Sequence, residues 1–258
     1  MRSSLFDLTG KTAVVVGGTT GIGHALSLGL ADAGADVVAS SRRIEQVESV
    51  GAEIEQRGRR TMRCTSDVRN RDSLIALRDA VLQEFSKVDI LINCAGAIKR
   101  GPTVSFPAED WTNIIDTNLT GTLRSCQIFG ETMLRRGYGR IINIASLSTF
   151  VGLLEVAAYG ASKAAVGSLT RSLAVEWSRY GVLVNAIAPG VFRTEINADL
   201  LDSTERGREF LTRTPMGRFG QVEELIGAAI YLASDAASFT SGQVIVVDGG
   251  FLACGVNR

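Results

Sequence analysis

Histidine is almost missing from this chain: His24 is the only one in 258 residues. Histidine-rich zinc sites are therefore excluded by count. A Ser-His-Asp triad would have to use His24, which no nucleophile motif accompanies. Cysteine is sparse too. Cys64, Cys94, Cys126 and Cys254 lie far apart, with no CxxC pair and no metal-ligand spacing. They read as reduced thiols of a cytoplasmic protein, and no metal site is expected. Neither sign of charge prevails, since 27 Lys+Arg balance 27 Asp+Glu without a long block of either. A nucleic-acid footprint and a polybasic membrane patch are thus not expected. The opening MRSSLFDLTG lacks the apolar core of a signal peptide, and no apolar run approaches the ~18 residues of a membrane span.

What is present is a repeated alternation. Apolar, β-branched runs at 12–16, 36–40, 89–93, 140–145, 182–188 and 244–247 read as strands, with a weaker seventh at 61–65. They are apolar throughout rather than alternating, which suits strands covered on both faces of a parallel sheet. Helical patterns fill the intervals at 21–33, 43–57, 71–85, 110–136, 157–179 and 221–234. The expectation is an α/β, Rossmann-type doubly wound fold with seven mostly parallel strands and helices on both faces. A chain of 258 residues is near the upper limit of one core, so a single domain over 1–258 is expected. The polar stretch 191–220 breaks the rhythm and reads as a substrate flap, with Gly207, Gly217 and Gly220 permitting motion.

After the first strand comes GGTTGIG, with Gly17, Gly21 and Gly23 spaced as GxxxGxG. A tight strand-to-helix turn needs glycine, and backbone must approach a pyrophosphate seated on a helix N-terminus. Gly17, Thr19, Thr20, Gly21, Ile22 and Gly23 are the expected contacts. At the tip of the second strand, an NAD site wants a carboxylate for the ribose 2′-hydroxyl. Here Ser41 occupies that place and Arg42 and Arg43 follow, so NADP(H) is favoured over NAD(H). Further on, Tyr159 precedes Lys163 by one helical turn in YGASK, which puts a phenol and an ammonium on one face.

The glycine turn, NCAG at 93–96, Asn118 in DTNLTG, Ser146 in INIAS, the YxxxK of Tyr159 and Lys163, and Pro189-Gly190 occur in that order. The set resembles the classical short-chain dehydrogenase/reductase family along essentially the whole chain. The resemblance implies that Tyr159 donates or accepts the proton, its phenol acidified by Lys163. It implies that Ser146 holds the substrate oxygen, and that Asn118 anchors a water relaying protons from Lys163. It also implies that Asp67 and Val68 contact the adenine, and that Asn93, Ala95 and Gly96 line the adenosine pocket. Pro189, Gly190, Val191 and Thr194 would cradle the nicotinamide, and a homotetramer is the family's usual assembly. The alternative for Asp67 is a helix N-cap. Two positions depart from the family pattern: Val16-Gly17 for Thr-Gly, and Asn93-Cys94 for Asn-Asn. Both remove side-chain bonds expected to brace the turn.

AGAIKRGP, INIASLSTFVG and DGGFLACG resemble the sugar-acid dehydrogenases of that family, such as gluconate 5-dehydrogenase and 2-dehydro-3-deoxy-gluconate 5-dehydrogenase. Lys99 or Arg100 would then meet a substrate carboxylate; the alternative is two solvated loop cations. A 3-oxoacyl-[acyl-carrier-protein] reductase shares every catalytic residue. It needs a basic surface for its acidic carrier, and Val175 stands where those reductases commonly carry arginine, with Arg135 and Arg136 partly restoring the charge. A non-catalytic cofactor sensor is the third reading, although such proteins typically lose the tyrosine or lysine kept here.

Overall fold

The computed structural model describes residues 5–193, 201–202 and 204–255. Among them, six parallel strands form one sheet in the order β2-β1-β3-β4-β5-β6. These are β1 Thr12–Val16, β2 Asp36–Ser40, β3 Ile90–Asn93, β4 Gly139–Ile144, β5 Val182–Pro189 and β6 Val244–Val247. The helices are α1 Gly21–Asp32, α2 Ile44–Gln56, α3 Arg71–Phe85, α4 Ala108–Ile115, α5 Gly121–Arg136, α6 Ala157–Trp177, α7 Glu205–Arg213 and α8 Ile226–Ala233.

Both faces of the sheet are covered, and successive strand residues divide between them. Ala13, Val15, Ile90, Ile92, Ile142 and Ile187 pack with α1, α2 and α8. Val14, Val16, Leu91, Ile141, Val182 and Val184 pack with α3, α5 and α6. That is why the strand sequences are apolar without alternation. Each branched side chain so buried stabilises the fold by about 1.5–3 kcal/mol.

The seventh strand expected at 61–65 does not form. At the two ends of that segment the Val37 N–H donates to the Arg60 carbonyl (3.0 Å) and the Ser66 N–H to the Ser41 carbonyl (3.0 Å). In between, side chains take partners that a ladder would use. Asp36 Oδ1 accepts from the Arg60 N–H (2.9 Å), and Ser40 Oγ donates to the Cys64 carbonyl (2.6 Å). The sheet therefore has six strands.

The helix expected over 110–136 is also interrupted. A π turn, Asp116–Thr120, separates α4 from α5, and the Gly121 N–H reaches back to the Asp116 carbonyl. Such bulges re-aim a side chain inward, often at a functional position; here the side chain is that of Asn118, which is fully buried. The stretch 191–220 contains α7, and its two ends meet where Phe192 pairs with Gly220. Among the described residues no helix is long and apolar enough to cross a membrane.

Candidate active site

The chain runs from β1 outward to β2, then returns to β3 on the other side of β1. Strand order reverses there, and a crevice must open at the carboxyl ends of β1 and β3. A cleft of about 620 Å³ occupies that place.

Its floor is the glycine turn. Gly17 has φ +81°, and a Cβ on it would stand 2.4 Å from the Ala95 nitrogen. A Cβ on Gly23 would lie 2.0 Å from the Gly17 carbonyl oxygen, so neither position admits a side chain. Thr20 caps α1 in extended conformation without a side-chain bond to the first N–H groups, and the first turn holds no acid. Unpartnered N–H groups at the positive end of a 12-residue helix make a seat for an anion. Thr19, Thr20, Gly21 and Ile22 line the cleft beside them. The side-chain braces lost at Val16 and Cys94 are replaced by backbone. The Val16 carbonyl accepts from the Cys94 and Ala95 N–H groups (2.8 and 2.9 Å), and the Ser40 carbonyl accepts from Gly17 (2.8 Å).

At the tip of β2, Thr19 Oγ1 donates to Ser41 Oγ (2.8 Å), and exposed Arg42 and Arg43 stand on the rim. No carboxylate occupies the tip, so hydroxyl and guanidinium groups fit a phosphate on the ribose. Asp67 and Val68 also line the cleft. Asp67 is not the cap of α3; Asn70 is, accepting from the N–H groups of Asp72 and Ser73. Although burial acts to raise it, the Asp67 carboxyl is held below its ordinary range by hydrogen bonds from Arg69. Ala95 and Gly96 lie on the cleft wall, as do Pro189, Gly190 and Val191. Asn93 does not. It donates to Asn143 Oδ1 (2.9 Å) in a buried chain that continues from Asn143 to Thr170 (2.9 Å), a core network behind the wall. Thr194 lies outside the described residues.

Ser146, Tyr159 and Lys163 meet on one wall of the cleft. Ser146 follows β4 and begins a short 3-10 turn whose Ser148 N–H donates to its hydroxyl (3.2 Å). Tyr159 and Lys163 come from the start of α6, with Lys163 Nζ 5.7 Å from the phenol ring centre. Burial pushes the Tyr159 phenol above its ordinary value, against a hydrogen bond with Ser146. The chain alone therefore does not acidify the phenol as expected. The physical reason is desolvation of the phenol itself; Lys163 beside it is desolvated too, and its ammonium falls to about 8. Lys163 Nζ donates to the Ile144 carbonyl (2.7 Å). Burial likewise pushes the Cys94 thiol up to about 11.

Asn118 stands behind this wall and ties two segments together. Its Oδ1 accepts from the Ala97 N–H (2.7 Å), while Nδ2 donates to the Ala97 carbonyl (2.9 Å) and to Ser162 Oγ (3.0 Å). Ser162 Oγ in turn donates to the Tyr159 carbonyl (2.7 Å). Both amide hydrogens are thus taken by protein, leaving one acceptor position for a water.

The two cations expected to meet a substrate acid are tied to their own chain. Lys99 pairs with Asp110 (2.5 Å) and Arg100 with Glu155 (2.6 Å). A further cation that lines the cleft is Arg206 in α7, with Phe210 also in the lining. Sequence reading missed it; the signal was an arginine inside the very stretch that broke the strand-helix rhythm.

Comparison with known proteins agrees with this geometry. A family profile described as enoyl-(acyl-carrier-protein) reductase matches residues 16–252. The chain is 40% identical over 246 residues to gluconate 5-dehydrogenase of Gluconobacter oxydans, covering 95% of this chain and 96% of that one. It is 41% identical over 249 residues to 2-dehydro-3-deoxy-D-gluconate 5-dehydrogenase of Bacillus subtilis, covering 96% of each. Among solved structures, gluconate 5-dehydrogenase of Burkholderia cenocepacia in complex with NADP and tartrate superimposes with a TM-score of 0.93 at 38% identity, covering 97% of this chain and 98% of that one.

Proposed function

The chain belongs to the short-chain dehydrogenase/reductase family and is an enzyme acting on CH–OH groups, and from that premise we propose that it interconverts a secondary alcohol and a ketone on a sugar acid, using NADP(H). The observation that carries the reading is the convergence of Ser146, Tyr159 and Lys163 on the wall of a cleft whose floor is an uncapped helix N-terminus. Gly17 to Gly23 would hold a nicotinamide dinucleotide on that floor, and when bound it would supply or take the hydride.

The protein's own part is to manage charge and protons on the substrate oxygen. In reduction, Tyr159 gives its proton to that oxygen as negative charge builds there. A phenol raised by burial is fully protonated at neutral pH, which suits the acid's role. Ser146 donates to the same oxygen and stabilises the developing oxyanion. In oxidation Tyr159 must become a phenolate, and Lys163 in its charged form favours that state, each unit of lowering being worth about 1.4 kcal/mol. Asn118 holds the turn of α6 that carries Tyr159.

NADP(H) is favoured because Ser41, Arg42 and Arg43 stand where an NAD site would place an acid. Gly17, Thr19, Thr20, Gly21, Ile22 and Gly23 would take the pyrophosphate, Asp67 and Val68 the adenine, Ala95 and Gly96 the adenosine, and Pro189, Gly190, Val191 and Thr194 the nicotinamide. The stretch 191–220 is the substrate-covering insertion of a single domain, a role supported by α7 reaching the cleft. Exposed Val104, Trp111 and Val175 support a homotetramer, and four unpaired thiols suit the cytoplasm. The acyl-carrier reading loses its support, because Arg135 is paired with Glu131 and Arg136 with Asp89, which precedes β3 at the end of the sheet remote from the cleft.

Consumption of NADPH, followed by absorbance, tests this on keto sugar acids, ketoses and acyl thioesters. Rapid turnover confined to keto sugar acids is expected; preference for an acyl thioester would replace this reading with the carrier-protein reductase.

A further inference from the structure

Several arginines of this chain have a carboxylate of their own. Arg100 pairs with Glu155 (2.6 Å), Arg193 with Asp202 (2.6 Å) and Arg218 with Glu224 (2.6 Å). Arg206 is different. Its Nε is shut off from solvent with no hydrogen-bond partner, and Nη2 makes a long 3.3 Å bond to the Leu154 carbonyl. None of the ion pairs among the described residues includes it.

Arg206 is nevertheless held in place. Its guanidinium carbon lies 5.4 Å from the Phe210 ring centre one helical turn on, and that ring lines the cleft as well. The Leu154 carbonyl belongs to the loop whose next residue, Glu155, adopts φ +63° and clamps Arg100. The loop therefore sets two guanidinium groups near each other while its one carboxylate engages only Arg100. Burial and the charge of Arg100 both work against the charge on Arg206, outweighing Glu209 and Glu155. A guanidinium that is partly desolvated, positioned and short of acceptors is complementary to a planar anion that brings two oxygens.

We propose that Arg206 is a specificity-determining residue of this site and binds the carboxylate of the substrate acid in the cleft that Ser146 and Tyr159 line. The assignment rests on the sugar-acid reading above and adds the contact that recognises the acid. Arg206 thus selects acids over neutral polyols, while the hydroxyl being oxidised lies against Ser146 and Tyr159.

The test is steady-state oxidation of D-gluconate and of the neutral hexitol D-sorbitol with NADP⁺ by wild type, Arg206→Met and Arg206→Lys, with NADPH affinity from fluorescence titration as the control for folding. Loss of charge-assisted hydrogen bonds predicts that Arg206→Met lowers kcat/KM on gluconate by about 10- to 100-fold, mainly through KM. Sorbitol turnover and NADPH affinity should stay within about 3-fold of wild type. Arg206→Lys keeps the charge but not the fork, and should still raise KM for gluconate about 10-fold; it is the variant read if Arg206→Met no longer binds NADPH. Wild type turning over both compounds equally would sink the sugar-acid reading and this assignment with it. Wild type preferring gluconate, with either variant keeping wild-type KM, would overturn the assignment of Arg206 alone.

Discussion

Lys163 donates from Nζ to the Ile144 carbonyl across 2.7 Å, so an ammonium buried in the cleft wall is anchored to the end of β4 by a dipole rather than by a carboxylate. Desolvation without a counter-charge brings it down to about 8. In the unfolded chain a lysine binds its proton up to ~10.4. Between those values the unfolded state holds more protons, and stability rises with pH. The buried thiols Cys94 and Cys126, pushed up to about 11 and about 12, act with opposite sign, but only above the ~8.5 at which they ionise when unfolded. Urea unfolding of the cofactor-free protein should therefore show wild type gaining about 1 kcal/mol on Lys163→Met between pH 7.5 and 9. A flat difference across that range would mean that the ammonium is not desolvated.

Replacing Tyr159 by Phe removes the proton donor and leaves the ring packing. Loss of a general acid typically costs ~10²–10⁴ in rate. Reduction by Tyr159→Phe should fall by at least about 100-fold, with NADPH affinity kept within about 3-fold. Retained activity in stopped-flow turnover would dismiss the phenol from the mechanism.

Much of this site was legible because the chemistry needs fixed residue types at fixed spacing. GxxxGxG opening a helix, and tyrosine one turn before lysine, announce themselves. The five buried strands were legible because hydrophobicity on both faces leaves apolar runs, and the partly exposed β6 keeps the same apolar, β-branched run. The segment 61–65 misled because its β-branched pattern was outvoted by neighbours: Asp36 and Ser40 offered side-chain partners in place of a ladder. The π turn around Asn118 has no local signature, since it records a choice between i→i+4 and i→i+5 bonding made by packing. Arg206 escaped for a similar reason. Among so many arginines, only the geometry shows which ones already have a carboxylate.

Cofactor choice can be moved at one position. Thr19 Oγ1 donates to Ser41 Oγ (2.8 Å), which places that hydroxyl at the rim between Arg42 and the glycine turn. Ser41→Asp would introduce a carboxylate that accepts from a ribose 2′-hydroxyl and repels a 2′-phosphate. One charge-assisted bond is worth ~1.5–3 kcal/mol, or about 10- to 100-fold. The ratio of kcat/KM for NADPH over NADH should shift toward NADH by at least about tenfold. An unchanged ratio would show that β2's tip does not read the ribose.

Asn118 separates two ideas about one residue: a proton conduit, or a strut for Tyr159. Its amide makes three bonds to Ala97 and Ser162, and Ser162 holds the Tyr159 carbonyl. Asn118→Ala would leave the Ala97 N–H and carbonyl without partners in a partly buried place, at up to ~1–3 kcal/mol for each unsatisfied group. The strut reading expects about 2–4 kcal/mol lost in urea unfolding, and kcat lowered about tenfold with an unchanged midpoint of the pH profile, because the groups that titrate are still present. The conduit reading expects nearly native stability and a displaced pH midpoint, because the path between Lys163 and solvent has been cut. The saturated amide favours the strut, and measuring stability and the kcat–pH profile on the same variant decides between them.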